Sequence, residues 1–314
     1  MLYPRRSFVH ALQFWLALAL ACAPFDSFVR AQTVSESTSL LETGRAAKLI
    51  SAPARPATIK VVSYNIRWRG GDDLRKLIAL LRNDPEIGQA AIIGLQEVDR
   101  NRKRTGNVNT VRLMAEELGM YYAWAAPPPP AKAKKPQEEE TGVALLSPYP
   151  LTDVRRLVLP NEGPNGRRRA AIGATIRIGD ASLRVYSVHG ETRIPVPQKI
   201  EALQAVLDDL ASYDKSMPTI VLGDFNTIEA EAVRDVTLLF TKAGFNTPFT
   251  NNEETWRTFL VRLKLDWLWL RNLQSIAHGI DREIDLSDHW PLWTTVRARD
   301  EGGGMRDEKE TTQP

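Results

Sequence analysis

The chain has 314 residues, 43% hydrophobic and 25% charged, with 19 glycines, 20 prolines and one cysteine. That composition is globular and leaves room for one large domain or two small ones; a lone cysteine excludes an intramolecular disulfide, so the fold must rest on its core. A formal net charge of +3 gives no strong pull toward nucleic acid or membrane, and losing residues 1–31 (with Arg5, Arg6, Arg30 and Asp26) would leave +1.

Residues 1–31 read as an export signal. Arg5 and Arg6 precede an apolar run from Ala11 to Ala23, and Val29-Arg30-Ala31 presents small residues for cleavage before Gln32. The run is short for a membrane anchor. A lipoprotein reading through Cys22 and an uncleaved anchor are the minority alternatives. An exported, periplasmic or extracellular location is therefore expected. Residues 32–56 are polar, small and Pro-containing, and read as a linker.

From there, short β-rich runs alternate with amphipathic ones. Strands are expected at 59–66, 90–97, 143–147, 170–178, 182–189, 219–225, 265–270 and 291–297. Several are continuous apolar runs, the pattern of strands covered on both faces. Helical stripes run through Leu74, Leu77, Ile78 and Leu81; Val111, Met114, Ala115 and Leu118; Ile200, Leu203, Val206, Leu207 and Leu210; and Val233, Val236 and Phe240. These are core faces without chemistry of their own. Residues 127–140, four prolines followed by lysines and glutamates, continue neither element and read as an inserted loop. The tail from 299 is too charged and Gly-rich to pack.

Polar residues close the apolar runs. Asn65 ends the first, Glu97 the second, His189 the 182–189 run, and Asp224 with Asn226 the 219–225 run; Asp288 and His289 precede the last. Each alone has an ordinary structural explanation, as an ion pair, an Asx turn or a core histidine. Placed together on one sheet edge, they form an oxygen-rich site suited to Mg²⁺ or Mn²⁺ and to a phosphate. A cation held by Glu97 and Asp288, with a histidine beside a carboxylate to activate water, amounts to phosphoester hydrolysis.

The fragments SYNIRW, IIGLQEVDRNR, GVALLS, YSVHG, VLGDFNT, KLDWLWL and LSDHWPL, in this order over residues 57–298, resemble the endonuclease/exonuclease/phosphatase superfamily. The resemblance implies a four-layer α/β/β/α sandwich, two packed mixed β-sheets flanked by helices. Glu97 corresponds to the principal metal ligand, with Asn65 supporting the metal and phosphate region and Asp288 as the second carboxylate. Asp224 and Asn226 correspond to the pair that orients water and phosphate. His289, paired with Asp266, corresponds to the general base or a phosphate-contacting histidine, and His189 to a donor toward the phosphate or leaving group. AP endonucleases usually carry Tyr at that position. Gly190, Trp290 and Pro148 depart from the usual residues. Arg169, in the run Arg167–Arg169, and Trp290 are the candidate substrate contacts.

The expected activity is an exported metal-dependent phosphodiesterase acting on nucleic acid or a phospholipid head group. A phosphomonoesterase acting on a sugar, inositol or nucleotide phosphate is the alternative, and a catalytically silent binding module on the same fold is a third reading. No protein partner is implied and a monomer is expected. No long hydrophobic hairpin of the lipid-inserting kind is visible.

Overall fold

In the computed structural model, residues 40–54, 56–130, 140–164 and 166–298 are described. The signal-peptide reading of residues 1–31, the Cys22 alternative, most of the 127–140 insertion and the tail from 299 lie outside them. No helix among the described residues is long and apolar enough to cross a membrane.

In chain order the strands are β1 (Leu41–Arg45), β2 (Ile59–Asn65), β3 (Ile92–Arg100), β4 (Tyr121–Ala125), β5 (Glu140–Ser147), β6 (Leu151–Val158), β7 (Ala170–Ile178), β8 (Ala181–His189), β9 (Thr219–Asp224), β10 (Trp256–Arg257), β11 (Arg262–Leu263), β12 (Asp266–Arg271), β13 (Leu273–Ile280) and β14 (Leu292–Ala298). The helices are α1 (Gly71–Asn83), α2 (Thr110–Leu118), α3 (Val196–Leu210) and α4 (Ala230–Lys242). One sheet has the order β1-β4-β5-β3-β2-β14-β13, the second β12-β9-β8-β7-β6, and β10 and β11 form a separate hairpin. Each large sheet is mixed: only β2–β3 in the first and β8–β9 in the second run parallel.

Three apolar layers hold the sandwich together. Leu74, Leu77, Ile78 and Leu81 of α1 and Val111, Met114 and Leu118 of α2 pack on the outer face of the first sheet. Val61, Ile92, Leu145, Ile172, Ile220 and Leu268 fill the space between the sheets. Leu203, Val206 and Leu210 of α3 and Val236 and Phe240 of α4 cover the outside of the second sheet, against Trp267 and Trp269. Phe240 stacks on Trp269 at 5.0 Å and Trp269 on Trp267 at 5.3 Å, so these tryptophans serve packing. The layers are therefore α/β/β/α, as the sequence implies.

Two expectations change. The 32–56 segment is not a free linker: Leu41–Arg45 pairs antiparallel with Tyr121–Ala125, and Ala46 N and Ile50 N donate to Met120 O and Gly119 O. The 90–97 strand does not stop at Glu97. It continues to Arg100 through a bulge, where the pairing with β5 slips between Gln96 and Val98.

Candidate active site

Register brings the polar strand ends together. His189 lies opposite Asp224, and Asp224 opposite Asp266, so β8, β9 and β12 present three functional groups in one row. On the facing sheet Asn65 pairs with Gln96, beside Glu97. The sheets are pinned to each other just behind the site by Gln96 Nε2 donating to Ser187 Oγ, which donates to Leu95 O. Glu97 is the extra residue of the bulge, with φ +57°. A left-handed non-glycine backbone costs roughly 1–2 kcal/mol, and here it turns the carboxylate into the site rather than the core.

Asn65 Nδ2 donates to Asp224 Oδ2 at 3.0 Å and reaches Glu97 Oε1 at 3.5 Å, bridging carboxylates from different sheets. Asn226, with φ +56°, donates its backbone N to Asp224 Oδ1 at 2.9 Å and its Nδ2 to Gly190 O at 3.1 Å. This explains glycine after the histidine: a Cβ on Gly190 would sit 2.7 Å from Phe225 O, inside the loop that holds Asp224. His289 Nδ1 meets Asp266 Oδ2 at 2.8 Å. Its Nε2 lies 3.8 Å from Asp224 Oδ2, and His189 Nε2 lies 3.6 Å from the same oxygen on the other side.

The two imidazoles differ in charge. Burial drives His189 well below its ordinary value, and the Arg169 guanidinium reinforces this. Arg169 Nη1 stands 3.5 Å from His189 Nδ1. A guanidinium only donates, so Nδ1 accepts and the proton sits on Nε2, facing the carboxylates. Burial also opposes a charge on His289, but Asp266 and Asp224 outweigh it and push the imidazole up to about 9. Burial pushes the Asp224 carboxyl up to about 7, His289 opposing and Asp266 adding. A neutral donor, a cation and a poised carboxylate thus meet at one point.

These shifts predict a pH effect on the metal-free protein. A proton held more tightly by folded His289 stabilises fully below the ordinary imidazole range, and the benefit is lost as pH rises through about 9. The lowered His189 titrates below this window, and the raised Asp224, at about 7, completes its titration at the window's lower edge. In EDTA, wild-type stability should fall relative to His289→Gln between about pH 7 and 9.5, by up to about 3 kcal/mol. Parallel urea-denaturation midpoints across that range would contradict the assignment. The comparison with the variant cancels buried Lys264, held down at about 8 by burial, whose titration runs the other way.

The residues fit a hard divalent cation. Glu97 Oε2 is buried without a hydrogen-bond partner, and the surrounding donors are oxygens. Asp224, Asp266 and His289 offer ligand atoms within 4.8 Å of one another. His289 Nδ1 is committed to Asp266, and Asp266 Oδ1, like Glu97 Oε2, is buried without a hydrogen-bond partner. Asp288 stands at the rim, ion-paired with Arg67 at 3.1 Å. Asn65 Oδ1 accepts Arg67 N at 3.0 Å, and its amide group bridges the Asp224 and Glu97 carboxylates. Asp266→Asn is expected to lower turnover 10- to 100-fold while leaving metal affinity unchanged. Equal loss of metal affinity, read by calorimetry, would make Asp266 a ligand instead.

Trp290 is corrected as a substrate contact. It is only 3% exposed and lies under Arg257 and Arg282, whose guanidiniums stand 4.9 and 5.5 Å from its ring. Trp290 N donates to Thr255 O, fixing the turn that carries His289. Arg169 lies beside His189 and is also tied to Glu191 at 2.9 Å. Ser287 was missed, although it stands in the SDH motif: its Oγ donates to Asn65 O at 2.8 Å and ties the His289 turn to β2. The sequence also concealed a short apolar hairpin. Between β10 and β11, Phe259 is 98% and Leu260 84% exposed, and Trp256 pairs with His289 at the hairpin's base.

The profile of the Endonuclease/Exonuclease/phosphatase family matches residues 62–289. No curated protein sequence gives a significant match. Among solved structures, an endonuclease/exonuclease/phosphatase from Beutenbergia cavernae is similar at TM-score 0.63 and 17% identity, over 77% of this chain and 72% of that one. The human nocturnin catalytic domain with bound sulfate aligns at TM-score 0.57 and 17% identity, over 77% and 94%. Humanized D. rerio TDP2 aligns at TM-score 0.58 and 16% identity, over 77% and 100%. The structural likenesses are likenesses of fold. With the profile match over most of its length, the chain belongs to the endonuclease/exonuclease/phosphatase family of metal-dependent phosphoric ester hydrolases.

Proposed function

We propose that the protein is an exported phosphodiesterase working with Mg²⁺ or Mn²⁺. One observation carries the diester reading: the catalytic row lies between two openings. One begins at Glu97 and His189, and the other at Ser287 and Asp288, bordered by Arg67, Arg257 and Phe259. A diester has a substituent on each side of phosphorus; a monoester needs room for one. Export rests on the pattern of residues 1–31.

In this reading Asp224 accepts the proton of the attacking water, its carboxyl raised into the range where a base works near neutral pH. His289, cationic against Asp266, holds a non-bridging phosphoryl oxygen. His189 donates from Nε2 to a second oxygen or to the leaving group. Asn65 and Asn226 keep Asp224 aimed, and Glu97 and Asp288 would hold the ion. When bound, the ion neutralises phosphoryl oxygens and polarises phosphorus. The base reading of His289 thus gives way to its phosphate-contacting alternative.

The substrate is a nucleic acid or a phospholipid head group, and the exposed Phe259–Leu260 tip favours the second. The test compares bis(4-nitrophenyl) phosphate with 4-nitrophenyl phosphate at equal concentration and equal Mg²⁺. The diester is expected to react at least about tenfold faster, because both openings then contribute binding. The reverse order would establish the phosphomonoesterase alternative.

A further inference from the structure

Glu97 owes its place to a bulge, and the strand beyond it is short. After the slip, Val98, Asp99 and Arg100 lie opposite Gly142, Thr141 and Glu140 of β5, three rungs in all. A left-handed residue persists where its surroundings over-determine it. Two anchors hold these rungs. Asp99 is gripped locally, by Thr141 Oγ1 at 2.6 Å and by Arg104 Nε and Nη2 at 2.7 and 2.8 Å. Trp124 of β4 supplies the other: its buried Nε1 donates to Val98 O, the carbonyl next to Glu97, at 3.0 Å.

The Trp124 anchor is covered in turn by Arg100, whose buried guanidinium lies 4.2 Å from the indole ring centroid. Two carboxylates meet that guanidinium. Glu140 accepts Nε at 2.6 Å, and Glu42 accepts Nη1 at 3.0 Å. Glu42 belongs to β1, lies opposite Trp124 in the β1–β4 register, and stands upstream of the family match, which begins at residue 62. It also accepts from Asn109 Nδ2, Arg112 Nη2 and Tyr122 Oη at 2.9, 2.9 and 2.8 Å. Burial opposes its charge, but hydrogen bonds from Tyr122, Arg100 and Arg112 outweigh this and hold the carboxyl below its ordinary value. A five-residue edge strand pairs with β4 through its backbone alone. The Glu42 side chain adds a charge-assisted cluster that reaches the far end of β3.

We infer that Glu42 is a positioning residue for the ion site: from the N-terminal strand it holds Arg100 over Trp124, and so keeps the bulge that presents the Glu97 carboxylate. Loss of Glu42 removes an acceptor from Arg100 Nη1 and loosens the guanidinium over the indole that holds Val98 O. The inference rests on Glu97 holding the ion. It gives Leu41–Arg45, within a stretch that reads as linker in the sequence, a part in the reaction.

The test is calorimetric titration of the full-length, metal-free protein with Mn²⁺, for wild type, Glu42→Ala, Glu42→Gln, Glu97→Gln and Glu116→Ala. Glu116→Ala is the control. Glu116 Oε2 accepts Ala47 N at 2.9 Å, so its loss removes a like charge and loosens the same segment without touching Arg100. Titrations are run well below each variant's melting temperature, where a merely weakened fold leaves the affinity unmoved. Glu42→Ala is expected to weaken Mn²⁺ binding about tenfold, the low end for loss of a group that supports a ligand, and Glu116→Ala to leave it unchanged. Glu42→Gln keeps the shape and one acceptor oxygen; it is expected to lose less, and it decides the matter should the alanine variant not fold. Wild-type affinity in the Glu42 variants that fold, or an equal loss in Glu116→Ala, overturns the inference. Glu97→Gln keeps the inference apart from the reading beneath it. If that variant also binds Mn²⁺ like wild type, the ion is held elsewhere and both fall. If it alone binds weakly, the ion reading stands and the role of Glu42 falls.

Discussion

Asp224→Asn is expected to reduce diester turnover by about 10³-fold, within the 10²–10⁴ range of general-base catalysis, with the fold intact. Asp224 is 1% exposed and held by Asn65 Nδ2 and by the backbone N and Nδ2 of Asn226. Asparagine keeps the volume and removes the proton acceptor. Because burial already pushes the carboxyl up to about 7, its charge near neutral pH is a cost to the folded state. The neutral isostere removes that cost but turns one acceptor oxygen into a donor facing an N–H, so the melting temperature should stay near wild type. Lost activity with unchanged or raised stability is what a functional carboxylate produces, and a structural one would lower both. A variant retaining a tenth or more of the wild-type rate would remove Asp224 from the proton-transfer role.

Glu97→Gln should act through the cation. The position combines a left-handed backbone with an unpartnered buried oxygen, so the fold gains little from the carboxylate itself. Removing its charge is expected to weaken Mg²⁺ or Mn²⁺ binding at least 10- to 100-fold and to lower turnover at fixed metal by a similar factor, with recovery as metal is raised. Melting temperature in EDTA should not fall. Calorimetric metal affinity equal to wild type would place the ion elsewhere.

Much of this site was legible because its residues close apolar runs. SYN, GLQE, YSVH and VLGD each end in a group that the parallel pairs β2–β3 and β8–β9 deliver to the same end of the sandwich. The stripes of α1 to α4 were legible because their buried faces repeat at helical spacing. Apart from β4, a short apolar run (Tyr121–Ala125), the strands that escaped lack such runs. Leu151–Val158 mixes Thr, Asp and Arg with its apolar residues and carries Asp153 at φ +43°. Leu273–Ile280 is an edge strand with mostly exposed or half-buried positions. Leu41–Arg45 offers one leucine, and its place is set by β4 rather than by its own pattern.

Beyond the Asp266–His289 pair, what the residues do to each other was not legible. A period-2 pattern cannot show that Glu97 sits on a bulge, that Trp290 packs beneath two arginines, or that Asn65 turns its amide to two carboxylates. The opposite charges of the histidines depend on Arg169 standing beside one and Asp266 beside the other. Arg102, which closes the IIGLQEVDRNR fragment, and Arg104 border the same cleft beside His189 as Arg167 only because the turn after β3 and the loop before β7 meet there.

Glu97, Asp224 and His289 are proposed to form a metal-dependent phosphodiester-hydrolysing site. The most direct measurement is the initial rate on bis(4-nitrophenyl) phosphate with Mg²⁺ or Mn²⁺ and with EDTA, for wild type, Asp224→Asn and His289→Ala. Wild type should hydrolyse the diester with metal and fall to background in EDTA, and each variant should lose at least about 10²-fold. Hydrolysis that persists in EDTA, or variants that keep the wild-type rate, would contradict it.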